Sequence, residues 1–404
     1  MPHMSLSTRR EYLQKIKPRY LKAEADDKTK MLDEYCKSTQ LNRKYVISLL
    51  SARASLAQKE TRQGKPRSCQ YGNRETIYLK KIWEMLDYPC GARLKPMLAE
   101  MIVKLRQWKE LTVPEDSALK LSRIAASTID AKLKRFKAQL RRKMMGTTKP
   151  GSLLKKQIPI RTSSWEEQRP GYCELDTVAH CGESASGEFA NTLTLTDILT
   201  GWTELEATLG KAQQRIKKAM DTASKRLPFP LKGIDPDNGG EFINWQLYRY
   251  CRERKIDFTR GRPYKKNDNA HVEQKNWTHV RKIMGYDRIE EERYVNLMKD
   301  LYRCELRLYM NFFQPVMKIV EKKRVGKHEE KIQRIYDIPK TPYQRALDCS
   351  EVVQDQKEKL RRVYEGLNPA HLRRVIIAKV KYLRNEILYA NRAKRNTESK
   401  GRQG

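Results

Sequence analysis

The sequence predicts a multidomain protein, with α-helical units at the N-terminus, an α/β core, and a small β plus helical region at the C-terminus. Three observations carry this. Up to about residue 140 the apolar residues recur at helical spacing. From Gly171 they fall into short β-rich runs joined by glycine-bearing turns, and these then alternate with helical segments. Between the two regimes, Arg141 to Pro170 carries Gly146, Pro150, Gly151, Pro159 and Pro170 among basic residues, which is the composition of a linker. A chain of 404 residues is long enough for several cores. The expected divisions are 1–60 and 61–145 for two helical units and 146–170 for a basic linker. The α/β core follows at 171–313, and a β/helical region with a disordered basic tail at 314–404.

Charge narrows the function. Lys and Arg number 84 against 49 Asp and Glu, a net charge of +35. Such an excess calls for a polyanionic partner, with nucleic acid ahead of a membrane surface. No apolar run approaches the roughly 20 residues that span a bilayer. No N-terminal apolar segment precedes a small-residue cleavage site, so a cytoplasmic product is expected, with Met4 as the natural start. The eight cysteines are scattered without a Cys-x-x-Cys pair and read as reduced thiols.

In chain order, Lys28 to Ala54 predicts two short helices around a turn. Met31, Leu32 and Tyr35 stripe the first; Asn42 caps the second, whose stripe is Tyr45, Val46, Leu49 and Leu50. With Arg43, Lys44 and Arg53 exposed, this is the pattern of a helix-turn-helix, and equally of a plain helical hairpin. Helices are expected over Tyr78 to Leu86 and Met97 to Trp108. Pro114 to Leu140 repeats the first pattern: a helix over Glu115 to Arg123, a tight turn, and a helix capped by Ser127 with Ile129, Leu133, Phe136 and Leu140 on one face. Lys132 and Arg135 are its candidate DNA contacts, the alternative being a solvated basic face.

Strands are expected over Gly171 to Ala179, Asn191 to Leu199 and Trp202 to Thr208, then a helix over Lys211 to Arg226. A strand over Leu231 to Asp235, a helix over Glu241 to Arg254 and a strand over Ile256 to Thr259 follow, and a helix then runs to about Gly285. That order is the one found in ribonuclease-H-like α/β cores, although other mixed folds share it. Ile289 to Met310 predicts a helix striped by Leu297, Leu301, Cys304 and Leu308. Gln314 to Tyr336 predicts a small β unit, and Glu351 to Asn391 a helical region broken at Gly366 to Pro369.

Three acids stand out. Asp176 lies in the apolar run Tyr172-Cys173-Glu174-Leu175-Asp176-Thr177-Val178, Asp237 follows a strand in Ile234-Asp235-Pro236-Asp237-Asn238-Gly239-Gly240, and Glu273 lies in the first turns of a helix. An acid in the middle of a central strand needs a reason. Three carboxylates that converge repel one another unless divalent cations sit between them, and two such ions suit phosphodiester chemistry. Asp235 is the rival to Asp237, which is preferred because Pro236 stops the strand. Asn269 and Asn276 share the helix face of Glu273, and Trp277 on that face is read as core ahead of a stacking platform. Arg262, Lys265 and Lys266 precede the helix and would meet phosphate.

Asp176, Asp237 and Glu273 resemble the Asp-Asp-Glu triad of retroviral-type integrases and bacterial insertion-sequence transposases. The spacing of positions 237 and 273 leaves 35 residues between them, as in that group. The resemblance covers about 171–286, and the helical N-terminal units point to the bacterial transposase branch. It implies a ribonuclease-H-like fold and a DNA transposase that binds element ends, cleaves to a 3′-hydroxyl and joins it to target DNA. It also implies two Mg²⁺ ions (Mn²⁺ as substitute) held by Asp176, Asp237 and Glu273, double-stranded DNA as partner, and a homo-oligomer on paired ends in a bacterial nucleoid. The alternatives are a domesticated DNA-binding relative without activity and a ribonuclease-H-like nuclease without strand transfer.

Overall fold

The computed structural model describes residues 4–51, 70–138, 169–236, 239–259, 270–325 and 331–401. The chain divides into two compact units, 1–70 and 71–404.

The first unit holds α1 (Leu6–Lys22), α2 (Ala25–Thr39) and α3 (Arg43–Leu50). Ile16, Leu32, Tyr35, Val46 and Leu50 form its core, and Tyr12 stacks on Tyr35 at 5.0 Å. Gln40 ends α2 in the left-handed region, and the Asn42 side chain accepts from the Lys44 amide at 3.0 Å. That bond satisfies an amide the helix start leaves open, as the sequence leads one to expect. The expected stripe is wrong at one place: Tyr45 is 55% exposed. Leu50 and Val46 already fill the face toward α1, so Tyr45 turns outward beside Lys44.

In the second unit, α4 (Asn73–Met85), α5 (Gly91–Gln107), α6 (Glu115–Arg123) and α7 (Ala126–Lys137) pack around Leu79, Trp83, Met97, Met101, Leu121 and Ile129. Ala125, not Ser127, is the N-cap of α7, and it supplies no side-chain bond. The Asp130 carboxylate instead reaches across to accept from the Gly91 amide at 2.9 Å, tying α7 to the start of α5.

The α/β core contains β1 (Tyr172–Ala179), β2 (Ala190–Asp197), β3 (Thr203–Leu209), α8 (Gln213–Ser224), β4 (Gly233–Pro236), α9 (Trp245–Glu253) and β5 (Asp257–Phe258). The strands form one mixed sheet in the order β3-β2-β1-β4-β5. β1–β2 and β2–β3 are antiparallel; β1–β4 and β4–β5 are parallel. This is the five-stranded mixed α/β arrangement the element order leads one to expect. The alternating Thr and Leu of β2 are buried on both faces, which suits a strand covered by helices on each side. β4 runs one residue past Asp235, with Pro236 opposite Leu175. α9 begins at Trp245 rather than at Glu241, because the Asn244 side chain caps it through the Leu247 amide at 2.9 Å.

A long helical run follows: α10 (Ala270–Lys275), a π-helical turn (Asn276–Arg281) and α11 (Lys282–Met284), then α12 (Glu292–Leu301), a second π turn (Tyr302–Leu306) and α13 (Arg307–Phe313). The buried face of α12 and α13 is Tyr294, Met298, Leu301, Tyr302, Leu306 and Tyr309, whereas Leu297 is 38% exposed and Cys304 is exposed. The expected stripe overlooked the tyrosines, and the π turn shifts the helical phase. β6 (Ile319–Val325) and β7 (Lys331–Tyr336) pair as an antiparallel hairpin. α14 (Pro342–Asp348), α15 (Gln354–Gly366) and α16 (Pro369–Gly401) complete the chain. The expected disordered tail is corrected: the backbone of α16 stays helical through Gly401. Its many Arg, Lys and Ala residues favour extension of a helix already nucleated by packing.

The α4–α7 helices are docked on the rest of this unit. Lys104 donates to the Tyr364 carbonyl at 2.6 Å, Tyr309 to the Met85 carbonyl at 2.6 Å, and Arg374 to Glu110 at 2.7 Å.

Candidate active site

β1 is the middle strand of the sheet, and it is buried everywhere except at Asp176 and Thr177, which are half-buried. The opening therefore lies where the sequence places its acid. Alternation puts Glu174 and Asp176 on one face of β1. Both fix the helix that carries Glu273. The Glu174 carboxylate, 1% exposed, accepts from the Val272 amide at 2.8 Å, satisfying a donor in the first turn of α10. Asp176 Oδ2 accepts from Asn276 Nδ2 at 2.6 Å, and its Oδ1 from the Thr177 amide at 2.7 Å. Glu273 lies between the two anchor points in sequence, exposed, three residues before Asn276. Asp176, in the middle of β1, is thereby tied to the helix that carries Glu273. Asp237 lies outside the described residues, as do Arg262, Lys265, Lys266 and Asn269.

The helix becomes π at Asn276, directly after the α10 turn that carries Glu273. Such turns are rare and recur at functional sites. Here it brings the Asn276 amide to Asp176, leaving Asn276 Oδ1 buried and without a hydrogen-bond partner among the described residues. A buried carbonyl oxygen with no donor beside a carboxylate is the place for a cation or a ligand donor.

Glu241 is a neighbour that sequence reasoning took only as a helix start. It accepts from Thr177 Oγ1 at 3.0 Å and from Lys211 Nζ at 2.8 Å. Burial works to raise its pKa, but the Lys211 bond and charge outweigh this and the net shift is downward. Its position after Gly239-Gly240, on the motif of the second acid, is the signal that could have found it. Asp235 is fully buried in β4, opposite Glu174 in register, and accepts from Thr259 Oγ1 at 3.0 Å.

Trp277 is 39% exposed, not core. It follows Asn276 on the π turn, whose wider winding carries it away from the packed face. His279 is buried, as a packing residue would be. Burial first, then the charge of Lys275, holds it neutral, well below the usual range.

The expected DNA contacts of the helical units fare unevenly. Lys44 is exposed, and Arg43 forms an ion pair with Asp33 across its own unit. Lys132 is half-buried and donates to the Tyr71 carbonyl, so its charge is turned inward as a tie between α7 and the start of α4. Arg135 is exposed, with its guanidinium 4.6 Å from the centre of the Phe136 ring.

Among the described residues no group of three His, Cys, Asp or Glu side chains is arranged to hold a metal ion. Asp176, Asn276 Oδ1 and the expected Glu273 offer oxygen donors only, and hard divalent cations of the Mg²⁺ type prefer such donors. No helix among the described residues is long and apolar enough to cross a membrane.

Against known proteins, no family model matches the chain. The uncharacterized protein y4rM of Sinorhizobium fredii (strain NBRC 101917 / NGR234) is 35% identical over 324 residues, which cover 80% of this chain and 91% of that protein. The chain belongs to the y4rM family. Among solved structures, this y4rM-family chain is similar to the HTLV-2 integrase catalytic core domain in complex with magnesium, at 14% identity and a TM-score of 0.27, over 36% of this chain and 90% of that one. It is similar also to the catalytic core domain of BIV integrase, at 15% identity and a TM-score of 0.25, over 43% and 91%. A simian T-cell lymphotropic virus intasome in complex with PP2A regulatory subunit B56 gamma matches at 14% identity and a TM-score of 0.30, over 54% and 70%.

Proposed function

We propose that the chain is a DNA transposase of the integrase-like, Asp-Asp-Glu type, with Asp176, Asp237 and Glu273 as its catalytic acids. The observation that carries this reading is the double clamp of β1 on the Glu273 helix, through Glu174 to Val272 and through Asp176 to Asn276. It ties the strand that carries Asp176 to the helix that carries Glu273, 97 positions further along the chain, which supports reading the two as members of one site.

Oxygen donors and the Asn276 carbonyl fit a pair of Mg²⁺ ions, with Mn²⁺ as substitute, held by the three acids. When bound, such ions offset charge on the attacking and leaving oxygens of an in-line displacement. The chain's own part is position and charge. Asn276 fixes the Asp176 carboxylate, Glu174 fixes the helix start, and Lys211 keeps Glu241 ionised beside Thr177. Water attacks the phosphorus at the element end, its oxygen bonding as the bond to the 3′-oxygen breaks. The freed 3′-hydroxyl then attacks a target phosphorus and displaces a second 3′-oxygen. The net charge of +35 suits a partner with two duplexes to hold, and joining paired ends calls for a homo-oligomer. The two helical units, with Lys44 and Arg135 outward, are the candidate readers of the element ends.

The test is a gel assay with pre-cut terminal DNA, a target plasmid and Mg²⁺. Joined products are expected, and Asp176→Asn abolishes them while the protein still shifts DNA. Nicked plasmid without joined product would replace this reading with a nuclease, and equal activity of the Asp176→Asn protein would remove the site altogether.

A further inference from the structure

The start of α9 is tied to the candidate site. The Asn244 side chain that caps the helix also donates to the Glu241 carbonyl at 2.7 Å, and the Glu241 carboxylate holds Thr177, the neighbour of Asp176 on β1. One face of α9 is packed, through Leu247, Tyr250 and Cys251. The opposite face carries Trp245, Tyr248, Arg249 and Arg252, whose spacing of three and four puts them in one stripe.

This stripe joins exposed rings to exposed cations. Trp245 is 47% exposed, whereas Trp83 and Trp202 are fully buried. Its indole meets the half-buried Tyr248 edge-on at 5.8 Å, so the two rings form one ledge. Arg249 and Arg252 are exposed, and neither forms an ion pair among the described residues. The acid of α9, Glu253, is its last residue, and Arg254 just beyond it is already engaged with Asp221 at 3.7 Å.

The occupant follows from the chemistry of the stripe. A second copy of the chain is a poor fit, because two such faces in contact set arginine against arginine on chains that each carry +35. Arginines without acids call for an anion, and an exposed indole calls for a flat apolar face. A nucleic-acid strand supplies both. In a duplex the bases are stacked on one another, whereas in a single strand their faces are free to stack on a ring. From Trp245 to Arg252 the helix rises about 10 Å, room for about two or three nucleotides.

We propose that the outer face of α9 is a track for single-stranded DNA, with Trp245 as the ledge for a base and Arg249 and Arg252 as phosphate contacts. The proposal rests on the reading of the chain as a DNA enzyme, and it names the form of DNA held next to the site. It makes no use of the acids, so strand affinity measured without divalent metal stands or falls apart from the joining assay.

The test measures binding of the full chain to a labelled oligothymidylate and to a duplex of equal length by fluorescence anisotropy. The variants are Trp245→Ala, Trp245→Phe and the double change Arg249→Gln with Arg252→Gln. Trp108→Ala, at a tryptophan 39% exposed at the end of α5, is the control for loss of an exposed indole. Melting temperatures check that each variant is folded. Trp245→Ala is expected to weaken single-strand binding about tenfold with little change for duplex, and Trp245→Phe to recover most of the loss. The arginine pair should lower the slope of log affinity against log salt by about one, at roughly 0.7 per phosphate contact on a single strand. Equal effects of Trp245→Ala and Trp108→Ala would overturn the proposal, as would equal losses on single strand and duplex. A change in self-association in place of strand affinity, read by sedimentation, would overturn it in favour of a contact between copies.

Discussion

At the scale of single residues, Asn276 divides its amide between two tasks. Its nitrogen holds Asp176, and its oxygen is left buried at the opening. Asn276→Ala is expected to lower DNA joining about ten- to a hundredfold, the usual cost of losing a group that orients a ligand. The Mg²⁺ concentration for half-activity should rise with it, and a titration of activity against Mg²⁺ reads both. A second residue-scale prediction concerns His180, which is fully buried against Thr192 at 2.8 Å. Burial, with Arg281 adding to it, pushes its pKa from 6.5 down to about 3. A depressed histidine keeps its full contribution above pH 6.5 and loses it as pH falls toward 3, because the unfolded chain takes the proton first. The slope for one such group is about 1.4 kcal/mol per pH unit. Asp197 works in the opposite sense: burial raises it to about 6, so its contribution is present in acid and lost as pH rises through 6. Urea unfolding at pH 7 and pH 5 should therefore show a shallower acid loss in His180→Gln than in the parent. Parallel curves would mean that His180 titrates normally.

At the scale of elements, β3 shows how an edge strand with two acids is made part of a core. Glu204 and Glu206 are two apart, so they share a face, and both are buried. Arg226 at the end of α8 bonds both at 2.9 Å, Arg307 bonds Glu204 at 2.7 Å, and Arg303 bonds Glu206 at 3.1 Å through its Nε. Breaking such a network strands a charge. Arg226→Ala is expected to cost about 3–5 kcal/mol, measured by urea denaturation, whereas an exposed pair such as Lys359–Asp355 is worth under about 1 kcal/mol. The Glu273 helix obeys the same logic at its start. An amide of α10 is satisfied by a carboxylate on a strand about a hundred positions earlier in the chain.

At the scale of the whole second unit, Tyr364 is the joint between the α4–α7 helices and the C-terminal helices. Its ring stacks on Tyr343 at 4.7 Å and lies 5.6 Å from Phe313, while Lys104 stands 4.1 Å from its centre. Its hydroxyl donates to Glu100 and its carbonyl accepts from Lys104. Tyr364→Ala is expected to cost about 2–3 kcal/mol, below the value for truncating a fully buried aromatic because Tyr364 is half-buried. Limited proteolysis should then release the α4–α7 segment before the sheet is cut. Charge also acts at this scale. With a net +35, affinity for duplex DNA is expected to fall about a thousandfold between roughly 50 and 200 mM salt. A flat salt profile would contradict a phosphate-gripping role.

The sequence by itself determined the strands, their order in the chain, most of the helices, the large positive charge, and the odd acid in mid-strand. Each of these is local: periodicity, turn residues and composition are written within a few residues of where they act. Only the tertiary structure decided which polar groups face inward. Lys132 reads as outward charge until the Tyr71 carbonyl is brought against it, and the burial of Glu204 and Glu206 follows only from partners distant in sequence. The same holds for the face of α12, whose phase turns on a π turn, and for Asn276 and Glu241, whose roles depend on what the fold sets beside them. A side chain's burial and partners are properties of the packed whole, because they are fixed by contacts that chain order does not specify.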